Sequence, residues 1–249
     1  MPRDTGHASP DGLRITVVFN NVPFAPGLRT GRGFSCLVRG AARTVLFDTG
    51  ADGGVLLGNM RRLGLEPTSV DGVMLSHFHG DHTSGLGAFL TAHGDVDVWT
   101  PDPPPAGLRR SIADLGARVE PVTEAGLLCC GIASTGPMGD TIVEQALIVD
   151  VGERVVVVTG CAHPGIDRVA QAATTIAGRP IRLLMGGFHL KAMDRSQIRR
   201  VIKRLREFGV ETVAPGHCTG ELAIAAFREA WGADFVEGGL GAVIDVFRR

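Results

Sequence analysis

Ser76-His77-Phe78-His79-Gly80-Asp81-His82-Thr83-Ser84-Gly85-Leu86 sets three imidazoles and one carboxylate between positions 77 and 82. Packing gives no reason to gather such groups directly after the apolar run Val73-Met74-Leu75, because buried polar groups without partners are costly. Metal binding does. If the strand expected at 71–75 continues as extended backbone, His77 and His79 project to the same side and share one ion, while Phe78 faces the core. Gly80 permits a sharp turn, after which Asp81 and His82 address a second ion from the start of the next helix. One segment thereby supplies half of a two-metal centre.

The other half is sought among the remaining histidines. Of eight in the chain, six fall where a strand is expected to end: His77, His79 and His82 after VMLS, His163 after VVVVTG, His189 after LLMGG, and His217 after TVAPG. Ligand-bearing loops cluster at the carboxyl ends of strands in α/β sheets, so separate loops converge there. His163 and His217 are the expected further ligands; His189 is a ligand, a substrate contact or an outer partner. His7 and His93 lack such placement and read as ordinary surface or core residues. A mixture of imidazole and carboxylate favours zinc, one or two ions, with iron or manganese as the alternatives. An open coordination position makes such a centre catalytic, and metals lower the pKa of water to about 7, so hydrolysis is the natural chemistry.

Around these loops the hydrophobic pattern predicts strands at 13–19, 34–39, 43–48, 71–75, 96–99, 117–122, 127–134, 145–151, 154–159, 181–185, 210–214 and 242–247. Helices are expected at 53–63, 83–92, 106–115, 165–177, 195–208 and 219–230. In the helix at 195–208, Ile198, Val201, Ile202, Leu205 and Phe208 repeat at helical spacing, Asp194 caps the start and Gly209 ends it. Its five arginines and lysines, Arg199, Arg200, Lys203, Arg204 and Arg206, fill the other faces and read as a solvated surface. Residues 1–12 are polar, with proline and glycine, and read as a flexible tail; 13–249 read as a single domain. Two β-rich stretches, each followed by helices, predict two packed sheets with helices outside, an αββα sandwich of the α/β class.

Composition narrows the partners. The chain of 249 residues has 25 basic and 26 acidic side chains, which gives no electrostatic ground for nucleic acid or an anionic membrane. A small-molecule substrate is the expected partner, and the oligomeric state is left open. No apolar run approaches the roughly 20 residues that cross a bilayer. The beginning, MPRDTGHASPDG, lacks the apolar core of a secretory signal, so a cytoplasmic protein is expected. Five cysteines without a CxxC pair read as reduced thiols. Cys161 and Cys218, in GCAH and GHC, are read as small buried residues of tight turns, with thiolate ligation as the alternative.

The HxHxDH pattern of His77, His79, Asp81 and His82 resembles the signature of the metallo-β-lactamase-fold superfamily. The resemblance extends over most of the chain, through Asp48 in LFDTG, His163 in TGCAHPGI and His217 in APGHCTG. The finer set FNN, GFSCLV, LSHFHGDHTSGL, EQALIV and GGFHL is similar to the 7,8-dihydropterin-6-yl-methyl-4-(β-D-ribofuranosyl)aminobenzene 5'-phosphate synthase-like subgroup. What the resemblance implies is an αββα metallo-β-lactamase fold with a metal centre at the sheet edge. By it, His77, His79 and His163 hold the first ion, Asp81, His82 and His217 the second, and Asp48 braces the ligand loops from behind.

Two departures from the superfamily pattern stand out. Many binuclear members bridge their ions with an aspartate at the end of a late strand, where this chain reads Met185-Gly186-Gly187-Phe188-His189-Leu190; His189 takes that role or contacts substrate. Arg32, in GRGFS, stands where a polar or acidic residue is expected. The expected function is a metal-dependent hydrolase or transferase acting on a small phosphate-containing molecule, dihydropterin synthase-like by resemblance. Asp81 and His189 are its candidate catalytic residues, and Lys191 a candidate contact for an anionic group. The alternatives are an iron-dependent redox enzyme on the same fold and a non-catalytic metal or ligand-binding module.

Overall fold

Four consecutive valines, Val155 to Val158, are all buried, which a strand achieves only with an apolar layer on each face. Val156 and Val158 join a core that also takes Ile15, Val17, Cys36 and Phe47 from the first part of the chain, whereas Val155 and Val157 join a second core built with helical residues. That division is the sandwich in miniature. The computed structural model describes residues 12–247, so the tail expected at 1–12 lies, apart from Gly12, outside the described residues.

The first half runs β1 (Leu13–Asn20), β2 (Phe34–Arg39), β3 (Val45–Phe47), α1 (Gly53–Arg62), β4 (Gly72–Met74), α2 (Gly80–Thr83), α3 (Leu86–Ala92), β5 (Asp97–Pro101), α4 (Ala106–Asp114) and β6 (Arg118–Val122). The second half runs β7 (Gly126–Cys129), β8 (Ile132–Ser134), β9 (Leu147–Asp150), β10 (Val155–Thr159), α5 (Ile166–Ala177), β11 (Ile181–Gly187), α6 (Arg195–Glu207), β12 (Thr212–Gly216), α7 (Glu221–Trp231) and β13 (Val243–Val246). One sheet has the order β13-β1-β2-β3-β4-β5-β6 and the other β12-β11-β10-β9-β8-β7. Helices α1, α3 and α4 bury Leu56, Phe89 and Ile112 on the outer face of the first sheet. Helices α5, α6 and α7 bury Val169, Leu205 and Phe227 on the outer face of the second. The expected αββα arrangement is the one observed.

Strand direction positions the site. β3, β4 and β5 are mutually parallel, as are β10, β11 and β12, so within each sheet the carboxyl ends of these strands lie at one edge. The loops after β3, β4, β10, β11 and β12 carry Asp48, His77 to His82, His163, His189 and His217.

Three expectations need correction. The strand read at 127–134 is a hairpin of β7 and β8, because Gly131 at φ +72 turns the chain back on itself. The helix read at 83–92 is two pieces, α2 and α3, meeting at Ser84-Gly85, where a Cβ on Gly85 would lie 2.1 Å from the Thr49 carbonyl oxygen. The helix read from 219 starts at Glu221, after a 3-10 turn over His217–Thr219, and the strand before it is Thr212–Gly216 rather than 210–214. Elsewhere the ends differ by a residue or two, as helix and strand ends commonly do. Asp194 caps α6 through a capping box with Gln197, and Ile198 and Leu205 lie on its buried face. Among the described residues no helix is long and apolar enough to cross a membrane.

Candidate metal centre

The loops bring together six of the expected ligands in two sets. Donor atoms of His77, His79 and His163 lie within 4.8 Å of one another, as do those of Asp81, His82 and His217. In the first set His77 Nε2 faces His79 Nδ1 at 3.1 Å. In the second, His82 Nε2 faces His217 Nε2 at 3.2 Å, and His217 Nε2 is 3.6 Å from Asp81 Oδ2. Nitrogens bound to tetrahedral zinc at about 2.0–2.1 Å stand roughly 3.3–3.4 Å apart, so the spacing suits a small divalent ion.

The opposite nitrogens of these rings decide whether the donors fit a metal. His82 Nδ1 donates to Asp48 Oδ2 at 2.7 Å, His163 Nδ1 to Glu144 Oε2 at 2.8 Å, and His217 Nδ1 to Asn21 Oδ1 at 2.7 Å. Asn21 is held in that orientation because its Nδ2 donates to the His217 carbonyl. His77 Nδ1 meets Ser76 Oγ at 2.8 Å, and the hydroxyl directs its own proton to Asp48 Oδ2 at 2.7 Å. Each of the four rings therefore carries its proton on Nδ1 and turns an Nε2 lone pair inward. Converging lone pairs repel unless a cation lies among them. The residues present fit a divalent metal.

Glu144 and Ser76 were not singled out from the sequence, although Glu144 holds the whole turn that carries His163. It is 2% exposed and accepts from the backbone N–H groups of Cys161, Ala162 and His163 at 2.8, 2.9 and 2.9 Å, besides His163 Nδ1. The one sequence signal is a carboxylate immediately before the apolar strand Leu147–Asp150 in EQALIV. Asp48 is fully buried and accepts from Ser76 N, Ser76 Oγ and His82 Nδ1. Among the described residues five non-glycine positions have positive φ, and Asp48, Ala162, His189 and His217 are four of them. Strain of this kind gathers where the surroundings impose it, usually at functional sites.

Burial, and then the charge on His82, pushes the His77 imidazole down to about 2; burial and His82 also push His217 down to about 3. Burial also works against charge on Glu144, but the hydrogen bond from His163 and the backbone donors outweigh it and hold the carboxyl below its ordinary range. Between about pH 3 and 6.5 the unfolded chain binds protons that His77 and His217 refuse in the fold, so stability falls as the medium is acidified. Glu144 adds in the same direction below the ordinary carboxylate range. Burial opposes charge on the His82 imidazole, but Asp48 outweighs it and raises the pKa. The His82 contribution is therefore fully present below about pH 6.5 and adds no slope there. Thermal melts of metal-free protein are expected to shift steadily downward from neutral pH to about pH 5; a flat profile would contradict the burial assigned to the His77 and His217 rings.

Gly160 is required by close approach. A Cβ there would lie 2.1 Å from Ser76 Oγ and 3.0 Å from Asp48 Oδ2. Gly160→Ala is expected to cost about 1–3 kcal/mol by overpacking and to weaken metal binding about 10-fold by displacing Ser76. Thermal melts and competition with a chelating dye measure the two effects.

His189 and Lys191 lie outside the two sets. The His189 ring packs against His163 at 4.6 Å between centroids, and Lys191 lines a cavity of about 480 Å³ together with Asn21, Val22, Pro23, Leu190 and His217. Arg32, 86% exposed, pairs with Asp81 Oδ2 at 3.4 Å. Cys161 is buried with its Sγ 3.3 Å from His82 Nε2, and Cys218 is half-buried.

Comparison with known proteins agrees with the fold. Residues 28–217 match the family model described as the metallo-beta-lactamase superfamily. The chain is 30% identical, over 82% of its length and 85% of the relative's, to the 7,8-dihydropterin-6-methyl-4-(beta-D-ribofuranosyl)-aminobenzene-5'-phosphate synthase of Methanocaldococcus jannaschii. Among solved structures it is similar to Tm1679, a metal-dependent hydrolase of the beta-lactamase superfamily, with a TM-score of 0.80 and 27% identity, covering 94% of this chain and 99% of that one. It shares its fold with YhfI from Bacillus subtilis, with a TM-score of 0.65 and 15% identity, covering 95% and 100%.

Proposed function

Since the chain belongs to the metallo-beta-lactamase superfamily, we propose that it is a zinc-dependent, binuclear hydrolase or transferase acting on a small phosphate-containing molecule. The observation that supports this most is the set of four imidazoles whose Nδ1 protons are claimed from behind and whose Nε2 lone pairs converge. His77, His79 and His163 would hold one ion and Asp81, His82 and His217 the other, with Asp48 bracing His82. When bound, such ions supply Lewis-acid activation of substrate and water.

The remaining groups suit an anionic substrate with an apolar part. The cavity beside His217 has apolar walls in Val22, Pro23, Leu190 and Leu222, and carries one cation, Lys191, and one carboxylate, Glu221. Arg32 stands at the other side, against Asp81. Arg32 and Lys191 bind and orient the phosphate, Asp81 directs the attacking group, and the His189 imidazole contacts substrate at the rim. The name of the 30%-identical relative, a synthase, supports chemistry that forms a dihydropterin-type phosphate compound.

The test is metal content by plasma mass spectrometry on tag-free protein, paired with turnover of bis-p-nitrophenyl phosphate before chelation, after it, and after zinc return. About two zinc ions per chain and turnover restored by zinc are expected. Iron as the bound metal would overturn the zinc reading, and zinc without any turnover would overturn the hydrolase.

A further inference from the structure

The two ligand sets leave a third cluster unused. Cys161 Sγ, the His189 ring and Cys218 Sγ also bring one donor atom each within 4.8 Å of one another; His189 and Cys218 belong to no other such group, whereas Cys161 borders the two sets, within the same reach of His77 and His82 donors. Cys218 Sγ also reaches the Cys161 carbonyl at 3.6 Å, which ties the two cysteine turns together. The glycine at 187 makes room for it, since a Cβ there would lie 2.7 Å from Cys218 Sγ. His189 is turned toward the thiols by backbone at φ +53, a conformation that a histidine rarely adopts unprompted.

We propose that Cys161, His189 and Cys218 form a third metal site, a soft set of two sulfurs and one nitrogen for a thiophilic divalent ion of the zinc and cadmium class. Zinc–sulfur and zinc–nitrogen bonds of about 2.3 and 2.0 Å imply donor separations of roughly 3.5–3.8 Å, so the set closes on an ion by small side-chain movements. Two thiolates and one imidazole select softer ions than the imidazole and carboxylate sets do. Exposure grades outward from buried Cys161 through half-buried Cys218 to exposed His189, which gives an ion a path in and leaves its fourth position open to solvent. Both cysteines are free thiols, as such a site requires. On the function proposed above, an ion here takes His189 away from substrate, so filling this site inhibits.

Cobalt(II) titrated into chelator-stripped, full-length protein tests the site without reference to activity. A thiolate-to-cobalt charge-transfer band in the near ultraviolet is expected to grow with a third equivalent, after the weaker visible bands of the imidazole and carboxylate sets. Cys161→Ser and Cys218→Ser should each abolish that band, and His189→Ala should lower the stoichiometry by one, with circular dichroism unchanged. In wild-type protein, cadmium should protect Cys218 from iodoacetamide, mapped by peptide mass. Visible bands without the charge-transfer band would overturn this site and leave the proposed function standing. A band that survives in Cys218→Ser would place the thiolate in the second set through Cys161 alone, which also overturns it. No cobalt binding at all would sink both. Inhibition by zinc beyond two equivalents should disappear in Cys218→Ser; its persistence there would remove the inhibitory role.

Discussion

Asp48→Asn is expected to lower zinc affinity at the second set by about 100-fold while the first set keeps its own. Asp48 accepts three hydrogen bonds with two oxygens: Oδ1 from the Ser76 N–H, and Oδ2 from the Ser76 hydroxyl and His82 Nδ1. Asparagine has one oxygen to offer. If that oxygen faces the Ser76 N–H, the new amide donor meets His82 Nδ1, and the ring must move its proton to Nε2. That proton would then point at His217 Nε2, 3.2 Å away, in the place of the lone pair that binds metal. If the amide is reversed, two N–H groups meet inside a fully buried site, at a cost of about 1–3 kcal/mol. Dye competition, resolved into two binding steps, reads the outcome directly; two unchanged steps would show that Asp48 does not set the His82 tautomer.

Glu144→Ala should be the most damaging single change to stability. It removes the acceptor from three backbone N–H groups and from His163 Nδ1, all in a region where Glu144 itself is 2% exposed. Leaving such donors unsatisfied costs about 3–5 kcal/mol, or roughly 6–20 °C in melting temperature for a chain of this size. The turn over Cys161 and Ala162 is held by those bonds, with Ala162 at φ +59, so the variant should also lose the His163 contribution to metal binding. Glu144→Gln keeps the shape and one oxygen and should fall between. Denaturant melts of the three proteins in chelator measure the structural part alone, and an alanine variant within about 1 kcal/mol of the parent would rule out this account.

Much of the fold was legible because the motifs sit on strong local signals. The apolar runs before His77, His163 and His217 are short and each includes valine, four in a row before His163, so both the strands and the ends that carry these histidines could be placed. The hairpin at Cys130-Gly131 was hidden because a single glycine in an apolar run reads equally as a bulge or a turn. The break between α2 and α3 was hidden for a different reason. There the Gly85 N–H donates to the carbonyl of Gly50, a neighbour distant in sequence, instead of continuing the helical ladder, and no local pattern records it. At the site, residue types that bind metals announce themselves by spacing, whereas their supporting acceptors do not. Glu144, Asn21 and Ser76 are common residues whose roles exist only once distant loops meet.

That meeting of distant loops also sets an order of events during synthesis. Asn20 and Asn21, at the end of β1, bind His217 across 197 and 196 residues, and β1 itself pairs with β13. A nascent chain can present the HxHxDH segment early, but it cannot complete either ligand set until residues 163 and 217 have left the ribosome. Contacts of such long range are slow to close. On the function proposed above, metal capture therefore comes after topology, as a seal on a finished chain rather than a nucleus for folding it, and an interrupted chain is left with loose histidines that hold no ion firmly.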